Sequence, residues 1–384
     1  MANAFSTPSF ELIKTKDIYV AASPISLKFK GTQIAFLSIT NSLGSTLIKP
    51  KIKEGFLNFE FPKTFTTKSG LCTWNLIYNQ KIYKKGTLTI IPNFRDGVKI
   101  ASFLGPRSIS AGGTDFSMFV VSPTDIYDNP VLDSTIISNT YQFGSSIEES
   151  AVKVKNGISW QNIFSPTKTG RILITASYLE HKSKEMTTIV YPALPEEFKI
   201  YYTRNHPYAD GNQVISFSTD IIRDEFQNII SDGTLVTFSI INSKGMRLET
   251  MGTTINGKAT GQLLHPDKAE KWMVTAYILG AAKSESINLE FKPAVKDFNI
   301  TFSEDGRKIA LENIQSFMGQ YIPDGLIITL RLLDKNGIVI TTKKTSTRLG
   351  EAKFELPLDF HPNGTYDLSI ETAGIFKKQK LILK

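Results

Sequence analysis

The stretch Arg171-Ile172-Leu173-Ile174-Thr175-Ala176-Ser177-Tyr178 returns one hundred residues later as Lys271-Trp272-Met273-Val274-Thr275-Ala276-Tyr277. Other marks share nearly the same offset. Asn156-Gly157 matches Asn256-Gly257, and the run from Asn129 to Thr135 matches the run from Asn228 to Thr234. Backwards, Cys72 to Tyr78 precedes Ile172–Tyr178 by one hundred residues, and Gly364 to Ile370 is a more diverged counterpart near the end of the chain. A fixed period of this kind signals one structural unit used repeatedly. A chain of 384 residues then holds four units of about 96 residues each.

Each unit reads as short strands between turn clusters. Val214–Ile222, Thr234–Ile241 and Trp272–Leu279 are rich in β-branched and aromatic residues, which suit a half-buried pleated surface. Between them stand turn groups such as Ala209-Asp210-Gly211-Asn212, Asn256-Gly257 and Asp334-Lys335-Asn336-Gly337. Asn and Gly tolerate the positive φ of tight hairpins. No apolar run has helical spacing over enough residues to bury a helix. The expected fold is all-β: four tandem immunoglobulin-like β-sandwich domains in an elongated array. Pro92, Pro192 and Pro293 mark the joints, so the expected domains are 1–93, 94–193, 194–294 and 295–384.

The third unit resembles the bacterial immunoglobulin-like domains of invasins and intimins. The resemblance rests on Ala209-Asp210-Gly211, the turn from Asn228 to Gly233, the strand Thr234–Ser239, Asn256-Gly257-Lys258-Ala259, and Trp272–Ala276. The second unit is similar through Ala111-Gly112-Gly113 and Asn156-Gly157-Ile158-Ser159. The first and fourth units match only in length and strand pattern. The resemblance implies a sandwich fold and a display role, and it implies no catalytic residues.

Charge is distributed unevenly. The chain has 44 basic and 36 acidic residues, a surplus of eight. Residues 1–93 hold 12 lysines against Glu11, Asp17, Glu54 and Glu60, and no arginine, while the remaining residues balance 32 against 32. The first unit therefore carries the entire surplus. Lys14 and Lys16, Lys28 and Lys30, and Lys49, Lys51 and Lys53 are spaced by two, which puts each set on one face of an extended segment. A solvated sheet face would mix lysine with glutamate in all four units. Confinement to one unit predicts a docking face of Lys28, Lys30, Lys49, Lys51 and Lys53 toward an acidic surface. Sequence-specific nucleic-acid binding is not expected, because arginine is missing from this unit and no binding motif accompanies the charge.

Catalytic and metal motifs are not expected. Cys72 alone forms no disulfide, and as a nucleophile it lacks a histidine in its own unit. On a strand it faces the same way as Trp74, which predicts a buried thiol. Trp74, Trp160 and Trp272 are all expected in cores. Histidines at 181, 206, 265 and 361 have no metal-binding spacing. Asp125, Asp128, Asn129 and Asp133 recur as Asp224, Asn228 and Asp232, but without the ligand order of a calcium loop. These predict β-turns. No cofactor is expected, and no apolar stretch is long enough for a membrane helix.

The N-terminal residues do not show a basic segment followed by an apolar run, and the C-terminus reads as a strand. On that basis the expected role is a non-enzymatic virion component, a phage tail or head-surface accessory made in the host cytoplasm. It would form a homo-oligomer on a symmetric particle, among other structural proteins of a large assembly. The alternative is a bacterial cell-surface adhesin or stalk segment.

Overall fold

The computed structural model describes residues 8–13, 15–31, 33–322 and 324–384. The chain is almost entirely β, with a single helical turn at Lys63–Thr66 among the described residues. By contact it divides into two compact units, Met1–Tyr191 and Pro192–Lys384, and each contains two sandwiches.

Every sandwich packs a small sheet against a larger one. In the third, the small sheet pairs Ile200–Thr203, Val214–Thr219 and Thr260–Leu264 in that order. The larger sheet runs Tyr208–Ala209, Ile287–Pro293, Glu270–Ile278, Leu235–Asn242 and Arg247–Thr253. Alternation with period two decides which side chains meet between the sheets. Val236, Phe238 and Ile240 stand beside Trp272, Val274 and Ala276 on the inner face of the larger sheet, and Ile215 and Phe217 close the core from the opposite layer. Trp272 is 1% exposed, and losing its side chain would cost about 3–5 kcal/mol.

The expected all-β class and the tandem sandwiches are what the chain forms. The repeated turns also behave as their residues dictate. Asn156-Gly157 and Asn256-Gly257 both have positive φ at each position, as a two-residue hairpin turn requires. Asp133 accepts a hydrogen bond from the Asn156 amide (2.8 Å), and Asp232 does the same for Asn256 (2.7 Å).

Cys72 is fully buried, and burial pushes its thiol pKa up. Trp74 lies on the same strand face and packs over Gly86 of the paired strand, where a Cβ would come within 2.3 Å of the indole. Trp160 departs from expectation. It is 47% exposed, because Ser159, Gln161 and Ile163 take the inward side of Ser159–Phe164 and turn Trp160 outward.

The fourth sandwich closes differently from the other three. In those, a short early strand pairs in parallel with the final strand, as Tyr208–Ala209 does with Lys292 and Pro293. In the fourth, the Arg307 guanidinium holds the end of the chain, donating to the carbonyls of Lys384 (2.9 Å), Leu356 (3.0 Å) and His361 (3.0 Å).

Candidate functional site

In the first sandwich the small sheet takes the order Glu11–Leu12, Ser26–Lys30, Phe56–Glu60, Lys51–Lys53. Leu27, Phe29, Leu57 and Phe59 point inward and are at most 1% exposed. The opposite parity must therefore face solvent, and that parity carries the lysines. Lys28 and Lys51 flank Asn58, while Lys30 and Lys53 flank Phe56. Four lysines thus form two rows across one sheet face. The rows are about 7 Å apart along the strands, and the lysines of a row are about 10 Å apart across them. Both spacings lie within roughly one Debye length, so their fields add.

The face has its own fixing contacts. Lys28 places its ammonium 4.1 Å from the centre of the Phe56 ring, a cation–π contact. Lys51 donates to Glu60 at 2.6 Å, the one ion pair these four lysines make among the described residues. Lys49 does not join them. The chain crosses from the larger sheet to the smaller one at Lys49-Pro50, outside any strand, so the alternation that links Lys51 to Lys53 stops short of it. Lys14 lies outside the described residues, and Lys16 is exposed in a non-strand segment.

The corresponding sheets elsewhere have other chemistry. In the fourth sandwich Lys308 and Lys353 alternate with glutamates, within 3.7 Å of Glu355 and 3.8 Å of Glu351. That is the mixed, self-neutralised surface of an ordinary solvated face. In the second sandwich the outward positions include Met118, Trp160 and Phe164. Among the described residues of the four small sheets, four lysines share one outward face only in the first sandwich.

The recurring aspartates make turns, and Asp125 also builds a joint. Asp125 is fully buried and accepts from the amides of Tyr127 (2.8 Å), Asn129 (3.0 Å) and Asn93 (2.9 Å), and from the Asn129 side chain (2.8 Å). Asn129 in turn reaches the first sandwich, donating to Thr67 O and accepting from Ser69 N, each at 2.8 Å. Asp224 repeats the arrangement with Phe226, Asn228 and Ala193. Burial alone would raise its pKa, but hydrogen bonds from the Asn228 side chain and the amides of Ala193, Asn228 and Phe226 outweigh that and lower it.

One cluster has no signal in residue spacing. His206, Asp210 and His265 come together in the third sandwich, with one donor atom of each within 4.8 Å of the others. Only the fold brings His265, after the strand Thr260–Leu264, beside the stretch that precedes Val214–Thr219.

No protein-family model matches the chain, and no curated protein matches it. Among solved structures, the Escherichia coli adhesin FdeC aligns over 74% of this chain and 96% of its own, with 12% identity and a TM-score of 0.51. Invasin, a bacterial integrin-binding protein, aligns over 98% and 79% at 12% identity with a TM-score of 0.46. InvD of Yersinia pseudotuberculosis aligns over 97% of both chains at 11% identity with a TM-score of 0.44. At the level of fold, the chain shares tandem immunoglobulin-like domains with the FdeC adhesin, in keeping with the motif resemblance.

Proposed function

We propose that this chain is a non-enzymatic display protein, a bacterial surface adhesin or stalk segment whose first sandwich docks on an acidic surface. The fold it shares with an adhesin over three-quarters of its length supports the display role. The observation that carries the docking is the convergence of Lys28, Lys30, Lys51 and Lys53 on one outward face, with the balanced Lys/Glu surface of the fourth sandwich as contrast. Each exposed ion pair would contribute only about 0–1 kcal/mol, so the face works by several contacts at once. The fold shared with the FdeC adhesin lends weight to the surface role over the virion one. Borders near residues 93, 193 and 294 belong to the same proposal.

The full chain should be retained on an immobilised polyglutamate surface at low salt and released as salt rises. A chain with Lys28, Lys30, Lys51 and Lys53 all changed to Glu should pass through with its fold unaltered. Equal retention of the two chains would reduce the lysines to a solvated face. Immunogold labelling decides location: label on intact source cells supports the surface reading, and label on purified phage particles replaces it with the virion one. Limited proteolysis should cut first near the three proposed borders.

A further inference from the structure

The histidine cluster of the third sandwich sits where that sandwich meets the fourth. Tyr208 stacks on Phe317 with ring centres 3.4 Å apart and planes 8° from parallel, and His206 lies 5.0 Å from the same Phe317 ring. Behind this stack, His265 Nδ1 lies 2.8 Å from the Tyr208 carbonyl, and the Tyr208 amide donates to His206 Nδ1 at 3.2 Å.

These backbone contacts assign the protons. A carbonyl only accepts, so His265 carries its proton on Nδ1; an amide only donates, so neutral His206 carries its proton on Nε2. Both N–H groups then face Asp210, His206 Nε2 at 3.5 Å from Oδ2 and His265 Nδ1 at 3.7 Å from Oδ1. A metal ion would need lone pairs at those two nitrogens, the reverse of what the Tyr208 backbone selects. The cluster is therefore a proton-bearing network around one carboxylate.

In such a network His265 has nowhere to put a second proton. Its side chain is 0% exposed, and Nε2 is buried with no hydrogen-bond partner. The Phe291 ring stands edge-on to the imidazole at 5.0 Å, with Trp272 packed behind it. The charged groups around it are Asp210, which favours the imidazolium, and Arg204, which opposes it from above the Phe291 ring. His206 opposes it too. The fourth sandwich contributes uncharged Phe317 at this point.

We propose that this network is an acid-released latch on the joint between the third and fourth sandwiches: protonation of His265 drives its ring out of the core, frees the Tyr208 carbonyl and breaks the Tyr208–Phe317 stack. Burial is the leading cause that lowers the His265 pKa from its ordinary value, ahead of the favourable Tyr208 and Asp210 contacts. The sign follows by linkage. With the folded pKa below that of the opened state, the latch is intact above about pH 6.5 and is lost as pH falls toward the folded value.

Hydrogen exchange of the full chain tests this, read at the Phe317 amide, which donates to Ala294 O at 3.1 Å, and corrected for the intrinsic pH dependence of exchange. Opening there should rise at least about tenfold from about pH 7.5 to about pH 5. His265→Asn keeps a donor toward Tyr208 but cannot titrate in this range, and should abolish the rise. His206 and His361 are present in both chains, so the comparison isolates His265. An unchanged wild-type chain, or a rise that persists in His265→Asn, would overturn the proposal. A second measurement needs no variant. In the wild-type chain, NMR should show His265 titrating below its ordinary value, with the Tyr208 and Phe317 ring signals moving at the same midpoint. Ring signals that stay still, or follow another midpoint, overturn it as well.

Discussion

Two joints of the same repeat use opposite chemistry. Between the first and second sandwiches, Asp125 and Asn129 form a buried polar clamp that ties the turn to Asn93, Thr67 and Ser69. Between the third and fourth, the equivalent positions are Ser316 and Gln320, as the matching bridges Thr124↔Pro130 and Gln315↔Tyr321 show. Ser316 keeps the backbone turn, with its amide donating to Gln320 O at 2.7 Å, but its hydroxyl meets only the Met318 amide, at 3.3 Å. Phe317 supplies what the carboxylate does elsewhere, stacking on Tyr208. The backbone turn is thus the constant part of the joint, and its adhesive chemistry is interchangeable. At the first of these joints a buried carboxylate is fed by several amides. A ring stack backed by histidines responds in mild acid.

The largest expected effect is at the polar joint. Asp125→Ala strips an acceptor from three backbone amides and one side-chain amide, and should destabilise the Met1–Tyr191 half by about 3 kcal/mol. Denaturant unfolding followed through Trp74 would measure it, since that indole lies in the adjoining core. A cost below that of Phe317→Ala would invert the comparison. Phe317→Ala removes a half-buried ring and its stack, at about 1–2 kcal/mol confined to the joint. Exchange of the amide at position 317, which donates to Ala294 O, should report that loss, with the core strands of the third sandwich unaffected.

Asp224→Asn should cost about 1 kcal/mol at neutral pH, where the charge-assisted bonds are fully formed. The folded pKa of Asp224 is lowered. Its stabilisation is therefore present above about pH 4 and fades as pH falls through the folded value, so wild type and variant should converge in acid. Curves that run parallel from neutral pH into acid would show that the carboxylate is not what ties this turn to Ala193. The smallest effect belongs to Ser316→Ala, expected within about 0.5 kcal/mol because the turn is held by backbone bonds. A loss as large as that of Asp125→Ala would mean the two joints are not chemically distinct.

Local features of this chain were legible from residues alone because their causes are local. Asn156-Gly157 and Asn256-Gly257 had to be hairpin turns, since few other residue pairs accept positive φ twice in succession. The pairing of Cys72 with Trp74 on one face, and of Lys28 with Lys30, follows from strand parity. Parity has a weakness: it cannot say which of two alternating sets faces inward. Trp160 shows this, since a large aromatic one position out of register with Ile163 ends in solvent. Lys49 shows another limit, because a proline crossing between sheets interrupts the parity that a spacing of two assumes.

By itself, then, the sequence determined the all-β class, the hundred-residue period, the turn positions and the charge of the first unit, each of which depends on neighbours along the chain. Tertiary structure alone decided that Lys51 and Lys53 stand across Phe56–Glu60 from Lys28 and Lys30, that Asn129 reaches back to Thr67 and Ser69, and that His206, Asp210 and His265 surround the Tyr208 backbone. The Lys, Asn129 and His265 contacts among these join residues from about twenty to sixty positions apart. No propensity or spacing rule reaches that far, because only the register of paired strands and the packing of sheets bring such residues together.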